Sequence, residues 1–176
     1  MKRWSALQRE IHNLMDAQTE LRIHLSKYSM DSRYGSACLP RYWITFRGEI
    51  IFDYPKQFVV KGAQGNCIRN LNGEICYYPY QTDIPRISDL LREYIDTPKE
   101  AVFTKHFEND CWGIINILKA ADRRFGRRRL ELLRKRTGNQ AAQKIIAYRL
   151  ERQPKGARYG HKTGDTGISE TDGHPA

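Results

Sequence analysis

The sequence predicts an α+β domain with an N-terminal helix, a central antiparallel sheet of about four to five strands, and C-terminal helices packed against that sheet. Three observations support this. The apolar period is helical at the start, two-residue in the middle, and helical again after about residue 83. The strand-like stretches are joined by short turn sequences, which favours antiparallel neighbours over βαβ crossovers. A chain of 176 residues also suits a single domain with a core large enough to need no staple. That domain is expected over residues 1–153. The glycine-rich, apolar-poor stretch 154–176 is expected to form a disordered tail.

Trp4, Leu7, Ile11, Leu14 and Met15 recur at three- and four-residue steps, predicting an amphipathic helix over 2–16. Leu21, Ile23 and Leu25 then alternate with Arg22, His24 and Ser26, the pattern of a half-buried strand. His12 and His24 fall on polar positions and are expected at the surface. Residues 30–36 read as a turn. Beyond Pro40, the aromatic and β-branched run 41–46 predicts a strand, Arg47-Gly48 a hairpin tip, and 49–54 the returning strand, stopped by Pro55. Cys67-Ile68-Arg69 and residues 74–78 flank Asn72-Gly73, the strongest short hairpin signal in the chain.

The C-terminal half reads as helices. Asp83 before Ile84-Pro85 is a helix start, with Ile87, Leu91 and Tyr94 on the buried face, and a short helix is expected over 98–103. Asn109 or Asp110 caps the next helix, in which Ile114, Ile115, Leu118, Ala121 and Phe125 share one face. On that reading Lys119, Arg123 and Arg127 project away from the core. Gly126 interrupts the pattern, 127–136 continues it, Gly138 stops it, and Asn139 caps a final helix to about residue 152.

Charge is the one functional clue. Residues 123–152 hold eleven bases against Glu131 and Glu151, so nine of the ten net positive charges lie there. Nine of the eleven are arginine, whose planar fork suits phosphates and base edges. The expected activity is therefore binding of DNA or RNA through Arg123, Arg124, Arg127, Arg128, Arg129, Arg134, Lys135 and Arg136. The alternative is a protein-interaction module whose basic helices dock an acidic protein partner or a second copy of the chain. Weighed against both is a solvated helix face whose arginines pair with acids elsewhere in the fold.

Catalytic patterns are weak. His106, Glu108, Asp110 and Cys111 are reactive types close in sequence, but they immediately precede a helix, where caps and first-turn acids belong. Glu49 and Asp53 share a strand face at i and i+4, and are expected to be exposed or paired with Arg41 or Arg47. Tyr77 and its aromatic neighbours suit core packing better than base stacking. Neither Gly62-x-x-Gly65 nor the tail fits a phosphate loop. No cofactor or metal site is expected. The four cysteines form no C-x-x-C pair, no run approaches the ~20 apolar residues of a membrane span, and the chain is expected in the cytoplasm.

Two stretches carry a resemblance. One is Tyr34-Gly-Ser, Pro40-Arg-Tyr-Trp-Ile and Glu49-Ile-Ile-Phe-Asp-Tyr-Pro. The other runs from Trp112-Gly-Ile-Ile-Asn to Arg123-Phe125-Gly126, with Arg128-Arg129-Leu130. The chain resembles an uncharacterised family of small bacterial proteins with no established activity. That resemblance implies an intact cytosolic bacterial domain and transfers no catalytic residues.

Overall fold

A computed structural model describes residues 4–29, 38–62, 65–77 and 87–152. In order, these residues form helix α1 (Trp4–Leu14), strands β1 (Arg22–Ser29), β2 (Cys38–Phe46), β3 (Glu49–Tyr54), β4 (Val59–Gly62), β5 (Gly65–Arg69) and β6 (Ile75–Tyr77), and then helices α2 (Ile87–Asp96), α3 (Lys99–Val102), α4 (Ile114–Ala121), α5 (Arg127–Arg136) and α6 (Gln140–Arg152). The fold is mixed α+β. Its strands divide into two three-stranded antiparallel sheets, β1-β2-β3 and β4-β5-β6. A single sheet of four to five strands was the expectation. The split comes at Pro55, which follows Tyr54 through a cis peptide and leads into a single 3-10 turn, Lys56–Phe58. Proline has no N–H for the ladder, so β3 ends there and the chain leaves its sheet. The turn expected at 30–36 and the Asp83 cap lie outside the described residues, as does the stretch 154–176.

The first sheet follows the expected alternation. Ile23 on β1 and Tyr42, Ile44 and Phe46 on β2 are buried, whereas Trp43 and Thr45 are only half-buried. Arg47 and Gly48 both take positive φ, 50° and 83°, and close the β2–β3 hairpin in two residues, as that twist requires. The β2–β3 register slips between Ile44 and Thr45, which leaves Ile51 as the extra residue on β3. This bulge breaks the simple two-residue period, and Glu49 and Asp53 go to different partners. Asp53 pairs with Arg41 across the hairpin, and Glu49 pairs with Lys144 of α6. Both histidines depart from the surface expectation. His12 accepts a hydrogen bond from the Ile23 N–H (2.9 Å), and His24 stacks on Trp43 at 4.9 Å.

The second sheet contains β4, which lacks a clear sequence signal. The expected hairpin at Asn72-Gly73 is present, with Gly73 at φ 86°. Its loop is longer than two residues because the Asn70 carboxamide oxygen accepts from the N–H groups of both Asn72 and Glu74.

The centre of the core is α4. Every residue of this helix except Asn116 is buried. A helix that is apolar almost all round belongs inside a protein, with neighbours on every side. Leu130 and Leu133 of α5 and Ile145 and Ile146 of α6 are buried in the same core, where α6 packs against both α4 and α5. No helix among the described residues is long and apolar enough to cross a membrane.

Candidate functional site

The basic segment separates into an interior set and an exposed set. The interior set begins where α4 ends. The helix stops at Ala121, earlier than Gly126, because Asp122 adopts an extended conformation and forms a short antiparallel bridge with Met15 at the end of α1. The Asp16 N–H donates to the Ala121 carbonyl (2.7 Å), and the Arg123 N–H donates to the Leu14 carbonyl (2.9 Å). Two helix ends are thereby joined, and their remaining carbonyls need donors.

Arg149 of α6 supplies those donors. It is 4% exposed and donates to the carbonyls of Ala120 (2.8 Å), Asp122 (3.0 Å) and Phe125 (3.0 Å), and to the Asp16 carboxylate (3.1 Å). Counted by sequence among the surface bases, it is a core residue. The sequence does carry a signal for this, since Ala142, Ile145, Ile146 and Arg149 share one face at i, i+3, i+4 and i+7. Burial presses its pKa downward, against the opposing pull of Asp16.

Asp122 is fully buried and collects four donors. The Tyr94 hydroxyl donates to it at 2.7 Å, and Arg124 supplies its backbone N–H (2.8 Å), Nε and Nη2. Burial first, then the Asp122 carboxylate, raises the Tyr94 phenol well above its ordinary pKa. For Arg124, burial works against the charge, but the hydrogen bonds and charge of Asp122 outweigh it and the net shift is upward. Arg124 also donates to the Thr97 carbonyl (3.2 Å) and lies over the Tyr94 ring. Lys119, expected to project outward, is 7% exposed. Its ammonium donates to the carbonyls of Phe103 (3.1 Å) and Lys105 (3.4 Å), which close the loop after α3.

The exposed set lies mainly on α5. Arg127 pairs with Glu131 and donates to the Leu150 carbonyl, and Arg129 rests over the rings of Phe103 and Phe125. Arg128, Leu132, Lys135 and Arg136 are exposed and stand at i, i+4, i+7 and i+8, hence on one face of the helix. Arg134 is exposed beside them, and Arg123 is exposed in the turn that precedes α5. Among the described residues, none of Arg123, Arg128, Arg134, Lys135 and Arg136 forms a salt bridge. The helix ends at Arg136 with Thr137 as its extended cap, so Gly138 is not the stop. Asn139 caps α6, accepting from the Ala142 N–H (3.0 Å) as expected.

In the His106–Cys111 segment Asp110 and Cys111 serve the fold, whereas His106 and Glu108 are exposed. Asp110 accepts from the N–H groups of Ile114 (2.7 Å) and Ile115 (3.0 Å), capping α4. Burial raises its carboxyl pKa to about 6 despite those bonds. The Cys111 thiol is buried, and burial raises its pKa to about 11, which leaves almost no thiolate at neutral pH.

A cleft of about 580 Å³ opens between β3, the start of α4 and the α5–α6 junction. Its apolar lining includes Ile51, Phe52, Phe58, Ile117 and Trp112, and its polar groups are the carboxamides of Gln57, Asn116, Asn139 and Gln140. Among the described residues no lining side chain is charged. Gly113 forms part of the wall at φ 77°. A Cβ there would come within 2.9 Å of Leu71 Cδ1 and 3.1 Å of Asn139 Nδ2. The sequence reading missed this cleft, because its residues come from four separated stretches with no common motif.

No curated protein and no solved structure matches this chain. Residues 3–150 match one family model, and over that span, which is most of its length, the chain belongs to the SF0329 protein family.

Proposed function

We propose that this protein binds nucleic acid through the exposed basic face of α5. The observation that carries the reading is the set of exposed bases Arg123, Arg128, Arg134, Lys135 and Arg136, which form no salt bridge among the described residues. A base already held by a carboxylate gains little from a phosphate, whereas an unpaired one releases counterions when it neutralises one. Arg124, Arg127 and Arg149 are held within the fold, so the working set is smaller than the eleven bases of the sequence. About four phosphate contacts would give a salt slope near −3.6 and roughly a hundredfold loss of affinity between about 50 and 200 mM salt.

Fluorescence anisotropy with labelled single- and double-stranded DNA and RNA tests this. The combined variant Arg128→Ala, Lys135→Ala and Arg136→Ala is expected to flatten the salt slope by about 2.7. No binding at about 50 mM salt, or an unchanged slope in the variant, overturns the reading.

Leu132 supports a second reading. It is 37% exposed at the centre of the basic face, and an apolar residue ringed by arginines is also the composition of a protein interface. Recovery of a defined acidic protein partner that survives nuclease treatment and is lost in Leu132→Asp would favour that reading over nucleic acid.

A further inference from the structure

We infer that the cleft between β3 and the N-terminus of α4 is a binding site for a neutral, planar, hydrogen-bonding heterocycle of the nucleobase class. The site is separate from the basic face of α5. Its volume, about 580 Å³, falls in the range of small-ligand clefts, and such clefts combine apolar walls with a few placed polar groups.

Asn116 is the strongest indication. It is the one half-buried residue of an otherwise buried helix, it lines the cleft, and its carboxamide hydrogen-bonds to no described residue. Solvent reaches this amide in the open cleft, so its donor and its acceptor are both available to a ligand. The exposed Gln140 side chain likewise hydrogen-bonds to no described residue. Gln57 uses its oxygen to accept the Asp53 N–H (3.1 Å), which leaves its NH₂ group for a ligand. By contrast, Asn139 is fully committed, donating to the Gly113 carbonyl (2.9 Å) and capping α6, so it holds the wall rigid. The indole N–H of Trp112, 2% exposed, also lacks an acceptor among the described residues, so the polar groups of this region are not satisfied internally.

The ligand class follows from these groups. A carboxamide presents a donor and an acceptor in one plane, which matches the adjacent donor and acceptor on a base edge. Ile51, Phe52, Phe58 and Ile117 make the wall apolar, which suits the face of a heterocycle. A charged ligand would lose its hydration with no counter-charge among the described lining residues, so the site favours neutral heterocycles. A free nucleoside and an unpaired base in a strand present the same chemistry.

The test follows the Trp112 indole resonance by ¹⁵N NMR of the full chain, assigned with Trp112→Phe, during titration with adenosine, guanosine, cytidine and uridine. At least one nucleoside is expected to give a saturable shift below about 10 mM that persists at high salt and in the α5 triple variant. This readout therefore stands or falls apart from binding at α5. Asn116→Leu keeps the volume and removes the amide, and is expected to weaken binding at least tenfold. Gln140→Leu, at an exposed position, provides the same comparison if Asn116→Leu does not fold. A base within a single-stranded oligonucleotide that produces the same shift identifies the strand as the source, and a shift with nucleosides alone identifies a free metabolite. Absence of any saturable shift, or equal affinity in both leucine variants, overturns the proposal.

Discussion

The guanidinium of Arg149 lies 3.1 Å from the carboxylate of Asp16, across 133 residues of sequence. The contact ties the last helix to the end of the first, and the same arginine donates to the carbonyls that terminate α4. Removing it leaves three buried carbonyls without their donor, and the Asp16 carboxylate without its charge partner. Arg149→Met is expected to cost about 3–5 kcal/mol in urea unfolding. Arg149→Lys restores the charge but not the planar fork, and is expected to recover only part of that loss.

Tyr94 and Asp122 are coupled through a single 2.7 Å hydrogen bond inside the core. Tyr94→Phe removes one donor from a fully buried carboxylate and is expected to cost about 1–3 kcal/mol. Arg124→Ala takes the charged donor away. The two changes act on one acceptor, so a double-mutant cycle by chemical unfolding should show non-additivity of at least about 0.5 kcal/mol.

Two groups set opposing pH trends in the same window. Burial first, with the charges of Arg22 and His24 added, lowers the His12 pKa from 6.5 to about 4. Its Nε2 accepts the Ile23 N–H, which it does only when that nitrogen is unprotonated. Between about pH 4 and 6.5 the unfolded chain binds more protons at this site, so the His12 contribution is present above that window and lost as pH falls through it. Asp110 has the opposite sign. Its folded pKa of about 6 lies above the ordinary 3.8, so the native state binds more protons between those values and stability falls as pH rises. Asp110→Asn should therefore expose the His12 trend as a steeper rise in stability with pH, and His12→Gln should expose the Asp110 trend as a fall. After discounting for the half-exposed imidazole, the change is about 1–2 kcal/mol across the window, measured as urea midpoints at stepped pH.

The two faces of α5 separate stability from binding. Leu130 is fully buried, and Leu130→Ala is expected to cost about 2–5 kcal/mol. Arg128→Ala, on the exposed face, is expected to change stability by less than about 0.5 kcal/mol while weakening nucleic-acid binding. Thermal unfolding and anisotropy on the same two proteins check the pair.

Local chemistry was legible in the sequence wherever one stretch of chain settled it. The stripe of α1, the Arg47-Gly48 hairpin tip and the Asn139 cap depend on residues within a turn or two of each other, and each stands where it was expected. So does the pairing of Asp53 with Arg41, because the hairpin dictates which strand positions face each other.

The fate of each charge was decided by the tertiary structure. Arg128 and Arg149 are the same residue type in the same basic segment, yet one is exposed and the other is in the core. What separates them is distant. Arg149 is buried because α4 ends at Asp122, α1 ends beside it, and their carbonyls must find donors where water cannot reach. Lys119 is buried for a related reason, since the loop after α3 covers its side of α4 and offers the carbonyls of Phe103 and Lys105 to its ammonium. The cleft likewise exists only once β3, α4 and the α5–α6 junction come together. Sequence alone determined the α+β class, the segment that carries the charge and some helix ends, because periodicity and capping are local. Which bases remain free for a partner, and which amides converge on a cleft, depended on long-range packing that no single stretch encodes.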